Sequence, residues 1–490
     1  MSTALQLGIV AGYLLIALGV GLFAYRLTDR TAEDYYLASR TLGTVVLLFT
    51  TFATLLSAFT FFAGPNIAYG NGPEWILVMG LMDGVLFGIL WYVIGYKQWL
   101  VGRARGYVTL GEMLGDRFGS RTLRGLVAGV SLFWLFPYVM LQQVGAGTAL
   151  AALTDGAVSY AAGAGIITAF MIAYVVLAGM RGIAWTDTLQ GVFMLTVVWA
   201  ATLWVLSAVG GVGEATGALA ANEPGFLSLG GGLYSPEWMI SQAVTIAFGV
   251  TMFPQVNQRF FVARSEAVLK RSFALWPVLV ILLFVPAFML GAWAAGLGVA
   301  MPESGNILPA LLTEYTPGWF AALVVAGAMA AMMSSSDSML LSGSSYFTRD
   351  LYRPFAGGDV DERREDLIAR VGVVAFAVAA FLVSLTRPAT LFAIGDAAFS
   401  GFAQLALPVA VALYWRRTTR TGIAAGILGS QGFYALHLFW IGTSPAAYGG
   451  WTAGVVGMVV GLVLTVGVSA VTAAAPDEDE SVYFGSAGAD

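Results

Sequence analysis

The sequence predicts an all-α membrane protein with about 13 transmembrane helices, and three observations carry that prediction. Of the 490 residues, 58% are hydrophobic and only 10% charged, whereas soluble domains run near 25% charged. Apolar stretches of about 20 residues, the length that crosses a bilayer, follow one another from residue 5 to residue 473. The basic residues fall in every second gap between them.

Thirteen spans can be delimited. Span 1 (5–25) lacks a small-residue cleavage site and reads as a retained helix, not a signal peptide. Span 2 (42–70) carries Ser57 and Thr60 ahead of Gly64-Pro65. Proline removes a donor and bars the preceding helical turn, so an interruption with free carbonyls is expected there. Span 3 (75–98) holds Asp83, and spans 4 (124–152), 5 (160–179) and 6 (188–210) follow, with Asp187 at the cytoplasmic start of the sixth. Span 7 (236–256) has a second interruption, Gly249 to Pro254. Spans 8 (272–298), 9 (318–346, with Asp337), 10 (368–386), 11 (390–415, with Asp396), 12 (421–441, with His437) and 13 (451–473) complete the set.

Sidedness follows from the basic residues. The gaps after spans 1, 3, 5, 7, 9 and 11 hold 22 of the 23 Lys and Arg, including Arg26, Arg30 and Arg259, and the other gaps hold only Arg387. Basic residues near span ends stay cytoplasmic, which places the N-terminus outside and the C-terminus inside a plasma membrane. A missed or invented helix would scramble the alternation. The acidic run 477–480 reads as a short disordered cytoplasmic end, with no soluble domain appended.

The chain has no cysteine and one histidine, which excludes thiolate nucleophiles, disulfides, iron–sulfur clusters and His or Cys metal cages. A membrane hydrolase would also need a nucleophile elbow, GxSxG, which is missing; no enzyme is indicated. Intramembrane acids are costly and mark function by default. Asp83, Asp187, Asp337 and Asp396 qualify, and His437 reads as packed or interfacial. No Lys or Arg is expected well inside a span. In span 9, Ala331, Ser334 and Ser335 stand at i, i+3 and i+4, putting a carbonyl and two hydroxyls on one stripe. A dehydrated monovalent cation could use such oxygens together with carbonyls freed by a broken helix. The same small residues would equally allow close helix packing. Interruptions in spans 2 and 7, five spans apart, suggest inverted repeats around a central site.

Several segments, in order, resemble the sodium/solute symporter family: DYYLASRTLG (34–43), AGMRGIAWTDTLQ (178–190), NQRFFVARS (257–265), AMMSSSDSMLLSGSSYFTRDLY (331–352) and LPVAVALYWRRTTRTGIAAG (407–426). The family includes proline, pantothenate, monocarboxylate and sugar carriers. The resemblance implies the five-plus-five inverted-repeat (LeuT-like) fold and a symporter that imports a small organic solute with Na+ by alternating access. It implies a sodium site made of the carbonyls of Ala53, Leu56 and Ala331 and the hydroxyls of Ser334 and Ser335. Asp187 takes the place of an acid tied to sodium coupling, while Asp337 and Ser338 occupy the place of a second ion. Solute contacts fall to Ser57, Thr60, Phe61, Tyr138, Gln142 and Gln404. Leu55 stands where some proline carriers have an acid, which weakens a proline assignment. Asp83 has no family counterpart and stays open as substrate contact, proton site or structural acid.

The expected organisation is a first helix and loop (1–41), repeats at 42–210 and 211–415, two peripheral helices (416–473) and an acidic tail (474–490). Expected partners are a small solute such as an amino acid or pantothenate-like carboxylate, sodium and the lipid bilayer, and no nucleic acid. A proton-coupled transporter of the same fold is the alternative, and a membrane sensor scaffold a more distant one.

Overall fold

The computed structural model describes residues 3–25, 32–356, 362–473 and 480–484. Arg26, Arg30 and most of the acidic tail lie outside the described residues. The described chain is helical apart from turns and one isolated bridge, Leu42 to Ala263.

Among the described residues, helices stand at all thirteen predicted spans, and eleven units, counting each bent pair as one, are long and apolar enough to cross a membrane. Nine are long, apolar helices: α1 (Thr3–Tyr25), α3 (Leu77–Arg105), α4 (Arg121–Leu153), α6 (Gly179–Val209), α8 (Glu266–Gly296), α9 (Gly318–Phe355), α10 (Glu362–Ser384), α11 (Leu391–Tyr414) and α13 (Ala453–Val471). Two are bent pairs: α2a (Thr44–Leu55) with α2b (Phe59–Asn71), at 62°, and α7a (Pro236–Thr251) with α7b (Pro254–Val262), at 57°. The shorter α5 (Tyr160–Val176) and α12 (Arg420–Leu436) complete the thirteen.

Local chemistry sets the helix ends. Ser120, Ser159, Ser235, Ser265, Thr390 and Thr419 each accept a first-turn N–H, starting α4, α5, α7a, α8, α11 and α12. α5 and α6 are separated at Gly179, whose φ of 59° and ψ of −178° suit only glycine and whose Cβ would fall 2.9 Å from the Tyr35 ring. α9 is the axis of the molecule. Every side chain from Val324 to Tyr346 is buried, whereas α1 exposes Leu15, Ile16 and Phe23. That contrast puts α9 in the bundle centre and α1 on its rim.

The break in α7 lies where Gly249 to Pro254 predicts it: α7a stops at Thr251 and Pro254 opens α7b. The break in α2 does not. The chain turns extended at Leu56 (ψ 129°), eight residues before Gly64, and Gly64-Pro65 sits inside the helical run of α2b. Pro65 falls in the first turn after a π-helical turn, Phe59–Ala63, where its missing N–H is tolerated. Gly64-Pro65 serves packing instead. A Cβ on Gly64 would lie 2.1 Å from the Phe288 ring, and one on Gly291 of α8 would lie 2.1 Å from the Pro65 carbonyl oxygen.

Candidate functional site

The α2 break is held open by its own Ser57 and by side chains from other helices. Ser57 accepts the Phe59 N–H at 3.2 Å, and Gln142 of α4 accepts the Ala58 N–H at 2.9 Å. Upstream, Leu56 N–H closes the last helical bond, onto Phe52. Among the described residues, no main-chain donor reaches the carbonyls of 53–56. Ser335 of α9 covers two of them, donating to the oxygens of Leu56 at 2.5 Å and Thr54 at 2.8 Å. Ala53, Leu56, Ala331, Ser334 and Ser335 are all buried to within 1% of full enclosure. Thus α9 and the frayed end of α2a meet across a cluster of carbonyl and hydroxyl oxygens.

One turn away lies a buried ion pair. Asp187 of α6 and Arg259 of α7b are each 1% exposed, with Nη2 3.2 Å from Oδ2. The same Nη2 reaches Thr54 Oγ1 at 2.7 Å and Ser338 Oγ at 2.5 Å, while Thr50 donates to Oδ2 at 2.5 Å. The other carboxylate oxygen, Oδ1, accepts the Ser334 hydroxyl at 2.5 Å. A buried charge survives only when paired and hydrogen-bonded, and this cluster supplies both conditions from four helices. The expectation that no basic residue enters a span is therefore corrected. Arg259 lies in the second half of a broken helix, where Phe260, Phe261 and Val262 carry the chain on through the core.

The solute candidates divide. Ser57 and Tyr138 are joined hydroxyl to hydroxyl at 3.1 Å, and Gln142 sits one turn on from Tyr138, so these three meet at the α2 break. The Tyr138 ring packs on Phe253 of the α7 break (5.0 Å) and on Phe399 of α11 (5.4 Å). Thr60 and Phe61 are buried in the first turn of α2b. Gln404 is not brought to this group, because its amide donates to Ser400 and to Gly454 of α13. Asp337 keeps one oxygen without a donor, whereas Ser338 belongs to the Asp187–Arg259 cluster. Asp83 is fully buried in α3 with both oxygens lacking a donor. His437 is held between the Phe433 carbonyl and the Tyr448 hydroxyl.

Among the described residues no group of three His, Cys, Asp or Glu could hold a metal ion. Neutral oxygens at a broken helix suit a hard monovalent cation instead. The profile of the sodium:solute symporter family matches residues 35–429. The chain belongs to that family. The symporter is 27% identical to the sodium/pantothenate symporter of Escherichia coli, over 89% of this chain and 92% of that one. It is 26% identical to the high-affinity proline transporter PutP of Bacillus subtilis, over 84% and 87% of the two chains. Its fold matches a substrate-bound, outward-open Na+-coupled sialic acid symporter with a TM-score of 0.78 at 20% identity, covering 96% of this chain and 99% of that one. The symporter is a multi-pass, sodium-coupled solute importer of the LeuT-like fold, not an enzyme.

Charged residues of the connections form a network in the symporter. Glu112 binds Arg124 (3.1 Å) and Arg349 (3.0 Å), and Arg124 Nε binds Asp350 (2.7 Å). Arg40 donates to the carbonyls of Phe261 and Tyr107. The first set ties the end of α9 to the start of α4, and Arg40 ties the segment before α2a to α7b.

Proposed function

We propose that the transported sodium ion lies between the α2 break and α9, held by the carbonyls of Ala53, Leu56 and Ala331 and the hydroxyls of Ser334 and Ser335. The observation that carries this reading is Ser335, whose hydroxyl already reaches the Leu56 and Thr54 carbonyls left without main-chain donors. With an ion present, that hydroxyl turns its proton aside and offers a lone pair beside the carbonyls. Ser334 needs no such turn. Its proton already points to Asp187, which leaves its lone pairs free and makes its oxygen a stronger ligand. Asp187 thus positions Ser334, and Arg259 balances the carboxylate on its other oxygen.

The ion bridges helices from the two proposed repeats, 42–210 and 211–415, and so favours the conformation that accepts solute from outside. Inward opening separates α2 from α9 and releases ion and solute to the cytoplasm. The solute lies at Ser57, Tyr138 and Gln142 and is a small carboxylate, in keeping with the pantothenate and proline carriers among the relatives. The protein sits in a plasma-membrane bilayer with its N-terminus outside and its C-terminus inside. The test is uptake of labelled pantothenate and proline into proteoliposomes under a sodium gradient. Ser334→Ala and Ser335→Ala should each raise the sodium concentration for half-maximal uptake, and an unchanged sodium dependence in both would remove the assignment.

One observation favours proton coupling as a second reading: Asp83 is enclosed with neither donor nor countercharge, an arrangement that a bound proton relieves. Uptake that persists without sodium, collapses with an uncoupler and is lost in Asp83→Asn would support it.

A further inference from the structure

Arg259 gathers more oxygens around one nitrogen than hydrogen bonding can use. Its Nη2 lies 2.5 Å from Ser338 Oγ, 2.7 Å from Thr54 Oγ1, 3.2 Å from Asp187 Oδ2 and 3.3 Å from Thr50 Oγ1. That nitrogen has only two protons to give. The rest of the guanidinium is loosely held: Nη1 reaches the Gln255 carbonyl of its own helix at 3.4 Å, and Nε, although buried, has no partner among the described residues. An arginine recognised for its shape presents its planar fork to one carboxylate in two parallel bonds. Here the contacts converge on one corner from α2a, α6 and α9, which is how a protein surrounds a point charge.

This oxygen cage adjoins the one proposed for sodium, and two residues face both. Thr54 turns its carbonyl to Ser335 and its hydroxyl to Arg259. Asp187 turns Oδ1 to Ser334 and Oδ2 to Arg259. The junction of α2a, α6 and α9 therefore builds two neighbouring cages from one set of helices. Hydroxyls line both, and the Arg259 cage has a carboxylate oxygen as well, which makes it the more attractive of the two to a cation. Its cation, however, is part of the chain.

We infer that the Arg259 guanidinium is a built-in cation that takes the place of a second sodium ion, so the symporter binds and carries one Na+ where the bare cages would hold two. Charge supports this count. With Arg259 present, Asp187 is neutralised before any ion enters, and one sodium leaves the centre with a single positive charge. Without Arg259, two sodium ions are needed to reach the same charge. A free ion in this cage would leave when the protein opens inward. The tethered one stays, and it keeps the buried Asp187 carboxylate paired while the empty carrier returns. The inference rests on the sodium reading given above for the neighbouring ion, but the filling of the Arg259 cage does not depend on it.

Equilibrium binding of radiolabelled Na+ to the purified full-length protein, with choline holding the ionic strength and no solute added, counts the ions directly. The wild-type protein should saturate at one ion per chain and Arg259→Ala at two. Arg259→Lys, which keeps a tethered charge, should stay at one. Arg259→Ala combined with Asp187→Asn, which removes the carboxylate from the opened cage, should return to one. Two ions on the wild-type protein, or equal counts on the wild type and Arg259→Ala, would overturn the inference, and the wild-type count decides it even where Arg259→Ala does not fold. A wild type that binds no ion while Arg259→Ala binds one would condemn the α2–α9 sodium site and leave the filled cage standing.

Discussion

Asp187 and Arg259, 72 residues apart, form an ion pair at 3.2 Å in which each side chain is 1% exposed. Thr50, Thr54, Ser334 and Ser338 hydrogen-bond to the pair. The pair joins α6 to α7b beside the α2–α9 junction, so the sodium oxygens proposed there and the ion pair share Ser334.

Removing one member strands the other as a buried charge. Arg259→Gln alone is expected to cost about 3–5 kcal/mol of stability. The double variant Asp187→Asn with Arg259→Gln, which strands nothing, should recover much of that loss. Thermal unfolding in detergent reads both, and additive losses would show that the two side chains do not depend on each other.

If Asp187 acts on the ion through Ser334, their effects overlap. Asp187→Asn and Ser334→Ala should each raise the half-saturating sodium concentration, by about five- to thirtyfold for a lost hydrogen bond of about 1–2 kcal/mol. The double variant should be no worse than the worse single one. Sodium titrations of uptake decide this, and multiplying effects would mean Asp187 works by another route.

The α2 break depends on Gln142. Gln142→Ala leaves the Ala58 N–H buried without its acceptor, a loss of about 1–3 kcal/mol. Gln142→Ala should therefore melt well below the wild-type protein, and an unchanged melting temperature would show that the break is held by other contacts.

Close approach of α8 to α2b rests on a missing side chain. In Gly291→Ala the new methyl would sit 2.1 Å from the Pro65 carbonyl oxygen and 2.7 Å from its Cα, backbone atoms that cannot swing aside. Overpacking of this kind costs about 1–3 kcal/mol. Gly12→Ala, with nothing within 4 Å, should be neutral or stabilising by up to about 1 kcal/mol. Melting curves of the two variants should part in opposite directions.

Much of this was legible in the sequence because hydropathy and charge act locally. Each span is a continuous apolar run, and the α7 break coincides with the Gly and Pro that cause it. The α2 break was misplaced because its cause is not local: Gln142 and Ser335, 84 and 279 residues from their partners, satisfy the backbone that the chain leaves open at 56–58. Gly64-Pro65 reads as the interruption, but the π-helical turn Phe59–Ala63 ahead of it accommodates the missing proline N–H. Arg259 reads as a loop cation because it ends a polar stretch, Asn257-Gln258-Arg259. The signal that it lies inside was the apolar run after it, Phe260 to Ala263, with a buried acid elsewhere in need of a partner. Ser334 and Ser335 were legible as a stripe, whereas the orientation of the Ser334 proton toward Asp187 required the fold.

Thermal unfolding of the purified protein as a function of sodium, at constant ionic strength with choline, tests the central claim most directly. Only an ion that binds the folded state shifts its stability. The wild-type melting temperature should climb with sodium, and Ser335→Ala should move that rise to higher sodium concentration without lowering the melting temperature in choline alone by a comparable amount. A wild-type curve that ignores sodium, or a Ser335→Ala curve that follows the wild-type one, would contradict an ion held between α2 and α9.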